Sequence, residues 1–271
     1  MEHFKSPFSA SDFSSARARE NQRFFDEVLA GARTHPFFTH PFLSSAEKII
    51  VSREITAIVL TSFYKIVAPF TGLLCSLGGR SPDLRTRFAL LDNIYEEMGC
   101  GDLEAAHPRL YLKMLASVGV SAESAEAAPT LPAIRRINAH LEEVVRAEPF
   151  AVSCALLASA EATIPPSFPV LATMARSAFP LVDTAFFDRH GTRDEGHSDD
   201  AATLFAITAE SAHFPLVERA VKRDLDLRVE LFEEWLWAMT AGTVPTRTTP
   251  SQRPSAARSV RPAAEHHSVP V

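Results

Sequence analysis

The segment 52–79, SREITAIVLTSFYKIVAPFTGLLCSLGG, constrains the fold more than any other. After Glu54 its single charge is Lys65, and apolar residues fall on nearly every side of its helical projection. A helix that is apolar all round has to be enclosed by other elements, so this one is expected to be central and buried. The Gly78-Gly79 pair marks its end. No run of about 18 uninterrupted apolar residues occurs in the chain, so no membrane span is expected. The neighbours of the central helix should be helices too. The chain has 10 glycines against 19 phenylalanines, with abundant alanine and leucine. Alternating Val-Thr-Ile runs are nearly absent, and the balance favours an all-α protein.

Further helices are expected at about 12–33, from Ser81-Pro82 to about Met98, over AAHPRLYLKMLASVGV, and in two segments that meet near Pro149. A short one follows in PPSFPVLATMARSAF. Then comes a long one through 182–211, broken near Gly191, and a closing helix that ends before Gly242. Residues 1–34 read as an N-terminal helical extension of one large domain. Residues 243–271, rich in Pro, Ser and Arg, read as a disordered tail. The His266-His267 pair in that tail carries little functional weight.

With a net charge of −6 and a pI of about 5.9, no nucleic-acid partner is expected. Cys75, Cys100 and Cys154 form no CxxC pair or disulfide framework, and MEHFKSPFSASDF has no signal-peptide pattern. A cytoplasmic location is the expectation.

The chemistry concentrates in FFDRHGTRDEGHSDD, residues 186–200, with two histidines and five carboxylates beside an apolar region. On a helix His190, Asp194 and His197 stand at i, i+4 and i+7 and share one face. Asp188, Glu195, Asp199 and Asp200 point elsewhere and can be solvated. The stripe itself can be a polar helix surface or one wall of a metal site. Other carboxylates then have to come from other helices. Glu97 ends one helix and His107 opens the next. On one continuous helix they would stand about 80° apart. A break or bulge at Gly99-Cys100-Gly101 that absorbs about three residues restores a common face. Glu161 is the one charge between Pro149 and Ala162, and a lone acid in an apolar helix usually has a partner. Its alternative is to reach water past Pro165. Together Glu97, His107, Glu161, His190, Asp194 and His197 give three carboxylates and three imidazoles. That mixture suits iron or manganese better than a structural zinc, and helix bundles build dinuclear sites from facing helices in this way.

The ordered set HPFL, FYKIVAPF, DNIYEEMGCGD…HPRLY, SAEATIPP and FFDRHGTRDEGHSDDA resembles the haem-oxygenase-like diiron oxidases, also called iron-containing redox enzymes. The resemblance covers about residues 35–242. It implies a seven-helix haem-oxygenase-like bundle that binds two Fe(II) ions, with Mn as an alternative, takes O2 as co-substrate and holds no haem. Glu97 would be the bridging carboxylate, and His107, Glu161, His190, Asp194 and His197 would complete the irons. Members of the family act in specialised metabolism. They N-oxygenate amines, cleave amino or fatty acids to alkenes, or build nitriles and aromatic fragments. Some N-oxygenating members add a carboxylate from an earlier core helix, where this chain has only Glu54, near the start of 52–78. Related thiamine-salvage and quinone-cofactor enzymes share the bundle without this metal set. A thiaminase-type enzyme would need a placed nucleophilic cysteine, and Cys154 sits in an apolar helix.

The expected activity is therefore a diiron oxidase or oxygenase acting on an amino acid, amine or fatty acid, with an external electron donor and a homodimer as compatible partners. The alternatives are a metal-free haem-oxygenase-like enzyme, a small-molecule-binding protein, or an interaction protein that recruits partners by its tail. Phe63, Tyr64, Phe70 and Phe186 or Phe187 are candidates to line a pocket, with plain core packing as their other role. Lys65, Arg189 and Arg193 are candidates to meet a substrate carboxylate, with ordinary surface charge as theirs.

Overall fold

The computed structural model describes residues 7–45, 52–190 and 194–241. Twelve α-helices occur among them: α1 (Ala16–Ala32), α2 (Pro41–Ser45), α3 (Arg53–Gly79), α4 (Leu84–Glu97), α5 (His107–Ser117) and α6 (Ala122–Ala127), then α7 (Pro132–Ala147), α8 (Phe150–Glu161), α9 (Ile164–Ala178), α10 (Ala185–His190), α11 (Asp194–Thr208) and α12 (Phe214–Ala241). Three short 3-10 turns join them, and no strand occurs among the described residues. The protein is all-α, as its composition requires.

The apolar segment is α3; its first half, as far as Val67, is mostly buried as expected, whereas Pro69, Gly72, Cys75 and Ser76 in its second half reach the surface. Ser52 caps its start by accepting the Ile55 N–H, and the glycine pair closes it. It packs against α4, α5, α7 and α9. Arg80, just past its end, donates to the carbonyls of Val145 and Glu148 and ties α3 to the end of α7. The start of α4 differs from the expectation at Ser81-Pro82. The cap is Asp83, whose carboxylate accepts the Thr86 N–H at 2.8 Å while Thr86 answers the Asp83 N–H. Pro82 cannot serve as the accepting cap, and the acid one residue on takes that role.

The second enclosed helix is α8, whose residues from Ala151 to Glu161 are all buried. It lies against α11, α12 and α7. α7 and α12 run antiparallel. The Glu234 carboxylate accepts the Ala133 N–H at the start of α7, and His140 meets the Ala220 carbonyl at 3.0 Å. Burial holds the Glu234 carboxyl above its usual range. By length and apolarity alone, α3 and the stretch Phe150–Ala178 could each cross a membrane. In this fold both are inner helices of the bundle.

The helix expected as an N-terminal extension, α1, packs on α11 and α12. Asn21 is buried and donates to the carbonyls of Ala206 and Ala209, both at 2.9 Å, at the end of α11. Phe25 is fully buried against Phe205, and Phe24 stacks on Phe214 at 3.8 Å. The tail 243–271, with His266 and His267, lies outside the described residues.

Candidate metal centre

Glu97 is the last residue of α4 and His107 the first of α5. The connection is a full break, not a bulge within one helix. Gly99, Cys100 and Gly101 follow one another with φ of 82°, 56° and 90°. The Cys100 N–H bonds the Tyr95 carbonyl and the Gly99 N–H bonds the Glu96 carbonyl, a Schellman closure of α4. The chain then folds back so tightly that a Cβ on Gly99 would lie 2.1 Å from the Asp102 carbonyl oxygen and 2.5 Å from the Ala106 nitrogen. Only glycine fits there, and this close approach delivers His107 to Glu97. Pro108 then starts α5 with its fixed φ.

Both side chains are buried, and Glu97 Oε1 lies 2.9 Å from His107 Nδ1. Despite that distance the two miss hydrogen-bond geometry, and the buried Nδ1 has no hydrogen-bond partner among the described residues. His190 ends α10. Its Nδ1 lies 2.8 Å from the Phe186 carbonyl four residues back. A proton on Nδ1 is therefore held by a backbone acceptor, the arrangement that orients histidines which bind metals through Nε2. The His107 and His190 rings are 4.4 Å apart. One donor atom from each of Glu97, His107 and His190 falls within 4.8 Å of the other two. A buried carboxylate and two imidazoles aimed at one point are costly without a cation between them. The donor set fits iron or manganese.

Glu161, the last residue of α8, is buried and borders the same cavity, though it is not one of the convergent three. Its burial fits the expectation of a partnered acid, and the alternative, escape to water past Pro165, does not occur. Helix is described over Ala185–His190 and again over Asp194–Thr208, and residues 191–193, where the break near Gly191 is expected, lie outside the described residues. The side chains of Asp194 and His197 lie outside the described residues. Asp188 points outward and pairs with Arg176 at 2.8 Å. Glu54 is exposed in the first turn of α3.

The cavity beside these residues offers about 80 Å³ to the centres of water molecules and is walled mainly by apolar side chains. Phe63, Phe70 and Phe186 line it as anticipated, whereas Tyr64 and Phe187 pack into the core around Tyr111. Two expected cations are elsewhere. Lys65 donates to the Glu126 carbonyl at 2.6 Å on the exterior, and Arg189 approaches the Cys100 sulfur at 3.8 Å. Arg193 lies outside the described residues. The cation that does line the cavity is Arg228 of α12, which the sequence reading missed. A signal for it existed: Arg228, Leu231, Phe232 and Trp235 form an i, i+3, i+4, i+7 stripe with Asp224 one turn earlier.

A family model described as "Iron-containing redox enzyme" matches residues 57–229, well over half of the chain. The chain belongs to this family. The iron-containing redox family match spans the helices that carry Glu97, His107, Glu161 and His190. Among solved structures, a CadD-like protein of unknown function from Nostoc punctiforme superposes with a TM-score of 0.67 at 14% identity, covering 83% of this chain and 99% of that one. A TenA homologue from Pseudomonas syringae pv. tomato gives 0.62 at 15% identity, covering 87% and 98%. A domain of unknown function with a haem-oxygenase-like fold from Shewanella denitrificans gives 0.61 at 18% identity, covering 83% and 94%. These likenesses establish the haem-oxygenase-like fold. No curated protein matches the chain.

Proposed function

We propose that this iron-containing redox enzyme is a non-haem, O2-activating diiron oxidase or oxygenase acting on a small metabolite. The observation that carries the reading is the buried convergence of Glu97, His107 and His190 on one point beside an apolar cavity. Glu161 borders the same space. Asp194 and His197 join the set by their positions in the sequence. When bound, two irons would supply the electrons and the oxygen-binding positions that side chains lack.

The chain's own contributions follow from its geometry. The Phe186 carbonyl fixes the ring of His190 and its tautomer. The Gly99 turn sets the Glu97–His107 distance. Phe63, Phe168, Phe186 and Trp235 keep the cavity apolar, which strengthens charge interactions within it and limits water. Cys154 is wholly buried and burial pushes its thiol pKa far up, so it supplies no nucleophile of the thiaminase kind. The small-molecule substrate, an external electron donor and a cytoplasmic setting belong to this same proposal.

The test is metal content after anaerobic Fe(II) loading, followed by rapid-mixing absorption with O2. The expected result is close to two irons per chain, falling sharply in His107→Ala and Glu161→Ala, with an O2-dependent absorption change. Trace iron in the wild type would leave the metal-free reading, a small-molecule enzyme or binding protein on the same bundle.

A further inference from the structure

Arg228 is a charged group on the cavity wall that the metal centre does not use. Its side chain is 13% exposed, and Asp224, which it faces one turn back on α12, is completely buried. Arg228 Nε donates to Asp224 Oδ2 at 2.7 Å. The terminal amino groups of Arg228 make no hydrogen bond among the described residues, and Asp224 Oδ1 has no partner there either.

A purely structural role explains this pair poorly. Both members sit on one helix, so it ties no two elements together. The link between α12 and α7 is made by others, Arg136 with Glu230 and Glu234. Two residues away on α12, Lys222 and Asp226 form the usual solvated pair of this spacing, 69% and 39% exposed. Burying the same kind of pair carries a desolvation cost that its own attraction barely returns. What the burial achieves is placement. A guanidinium is held by one nitrogen at the wall of an apolar cavity that Phe70, Leu141, Leu231 and Phe232 also line, with its terminal N–H groups left over. A planar fork of donors matches a carboxylate. With Asp224 already offsetting its charge, Arg228 suits a monoanion better than a phosphate dianion, which needs more donors. The aromatic walls suit an apolar body.

We propose that Arg228, positioned by Asp224, anchors the carboxylate of a monocarboxylate substrate with an alkyl or aromatic body. The anchor rests on the reading of the cavity as a substrate site, but it can be examined with no metal present. The metal-free full-length chain is titrated calorimetrically with octanoate and 3-phenylpropanoate, and with the matching primary amides. The acids are expected to bind at least about tenfold more tightly than the amides. Arg228→Gln should remove that preference and leave amide affinity within about twofold. If that variant does not fold, the paired variant Asp224→Asn/Arg228→Gln removes both charges and should show the same loss. Wild-type protein that binds acids no better than amides overturns the proposal, as does an acid preference that survives in either variant. Iron content is measured on the same preparations. A chain that takes no iron yet shows the Arg228-dependent preference refutes the diiron reading and keeps the anchor. One that loads iron without the preference does the reverse.

Discussion

Two buried polar regions border one cavity and are balanced in opposite ways. Asp224 and Arg228 carry opposite charges and sit 2.7 Å apart, so each is the other's counterion. Glu97, His107 and His190 bring a carboxylate and two imidazoles together, and the buried His107 Nδ1 has no hydrogen-bond partner although Glu97 is 2.9 Å away. The first region balances its charge within the chain while leaving hydrogen-bonding groups over. The second gathers three donor atoms within 4.8 Å of one another, an arrangement that could hold a metal ion. Burial alone therefore does not mark a metal site. The informative sign is donor atoms that approach one another and still do not bond.

The largest effect is expected from the backbone that builds the second region. Gly99→Ala forces a Cβ against the Asp102 carbonyl in a left-handed conformation. Thermal or denaturant melts should show a loss of about 3 kcal/mol or more, with iron binding lost as the Glu97–His107 approach opens. The next effect tests the first region. Arg228→Ala leaves Asp224 buried and uncompensated and should cost about 3 kcal/mol. The variant Asp224→Asn/Arg228→Gln should recover most of that, and a double-mutant cycle measures the coupling. Iron is the third. Fe(II) or Mn(II) at about 100 times its dissociation constant should stabilise the wild type by about 2.7 kcal/mol. That increment should vanish in His107→Ala, whose metal-free form melts near the metal-free wild type. An unchanged wild-type melt at saturating metal would remove the contrast between the regions. The smallest effect is expected at the charges outside the cavity. Lys65→Ala should change stability by about 0.5 kcal/mol or less and leave binding of the carboxylate probes unaltered.

The sequence was most legible where burial overrides everything else. The apolar segment 52–79 was expected to be enclosed, and the structure buries most of its first half, as far as Val67, while its second half lies partly at the surface. Glu161 could be singled out because it is the one charge in its helix. Glu97 and His107 could be paired by type, but the manner of their meeting could not be read, since glycine permits a bulge and a break equally. The contact of the Gly99 α-carbon with the backbone of 102–106 decides it, and such an approach between segments leaves no local pattern. Arg228 escaped notice for a different reason. An Asp and an Arg four residues apart on a helix is what a solvated face looks like, and Lys222 with Asp226, beside it, is such a face. Only the packing of α7 and α8 onto α12 separates the two pairs.

The candidate ligands also share an address. Glu97 and Glu161 are each the last residue of a helix, and His107 is the first of one. Two helices, α4 and α8, thus bring their carbonyl ends to the site, each equivalent to about half a negative charge in a full-length helix. These ligands are therefore hinged to the connections 98–106 and 162–163, and the packed midsections of the helices hold the bundle. A change of one or two residues in a connection would re-aim a ligand without disturbing the core. Chemistry and architecture in this molecule can thus vary along separate coordinates: loop length tunes the first, and helix-face composition keeps the second.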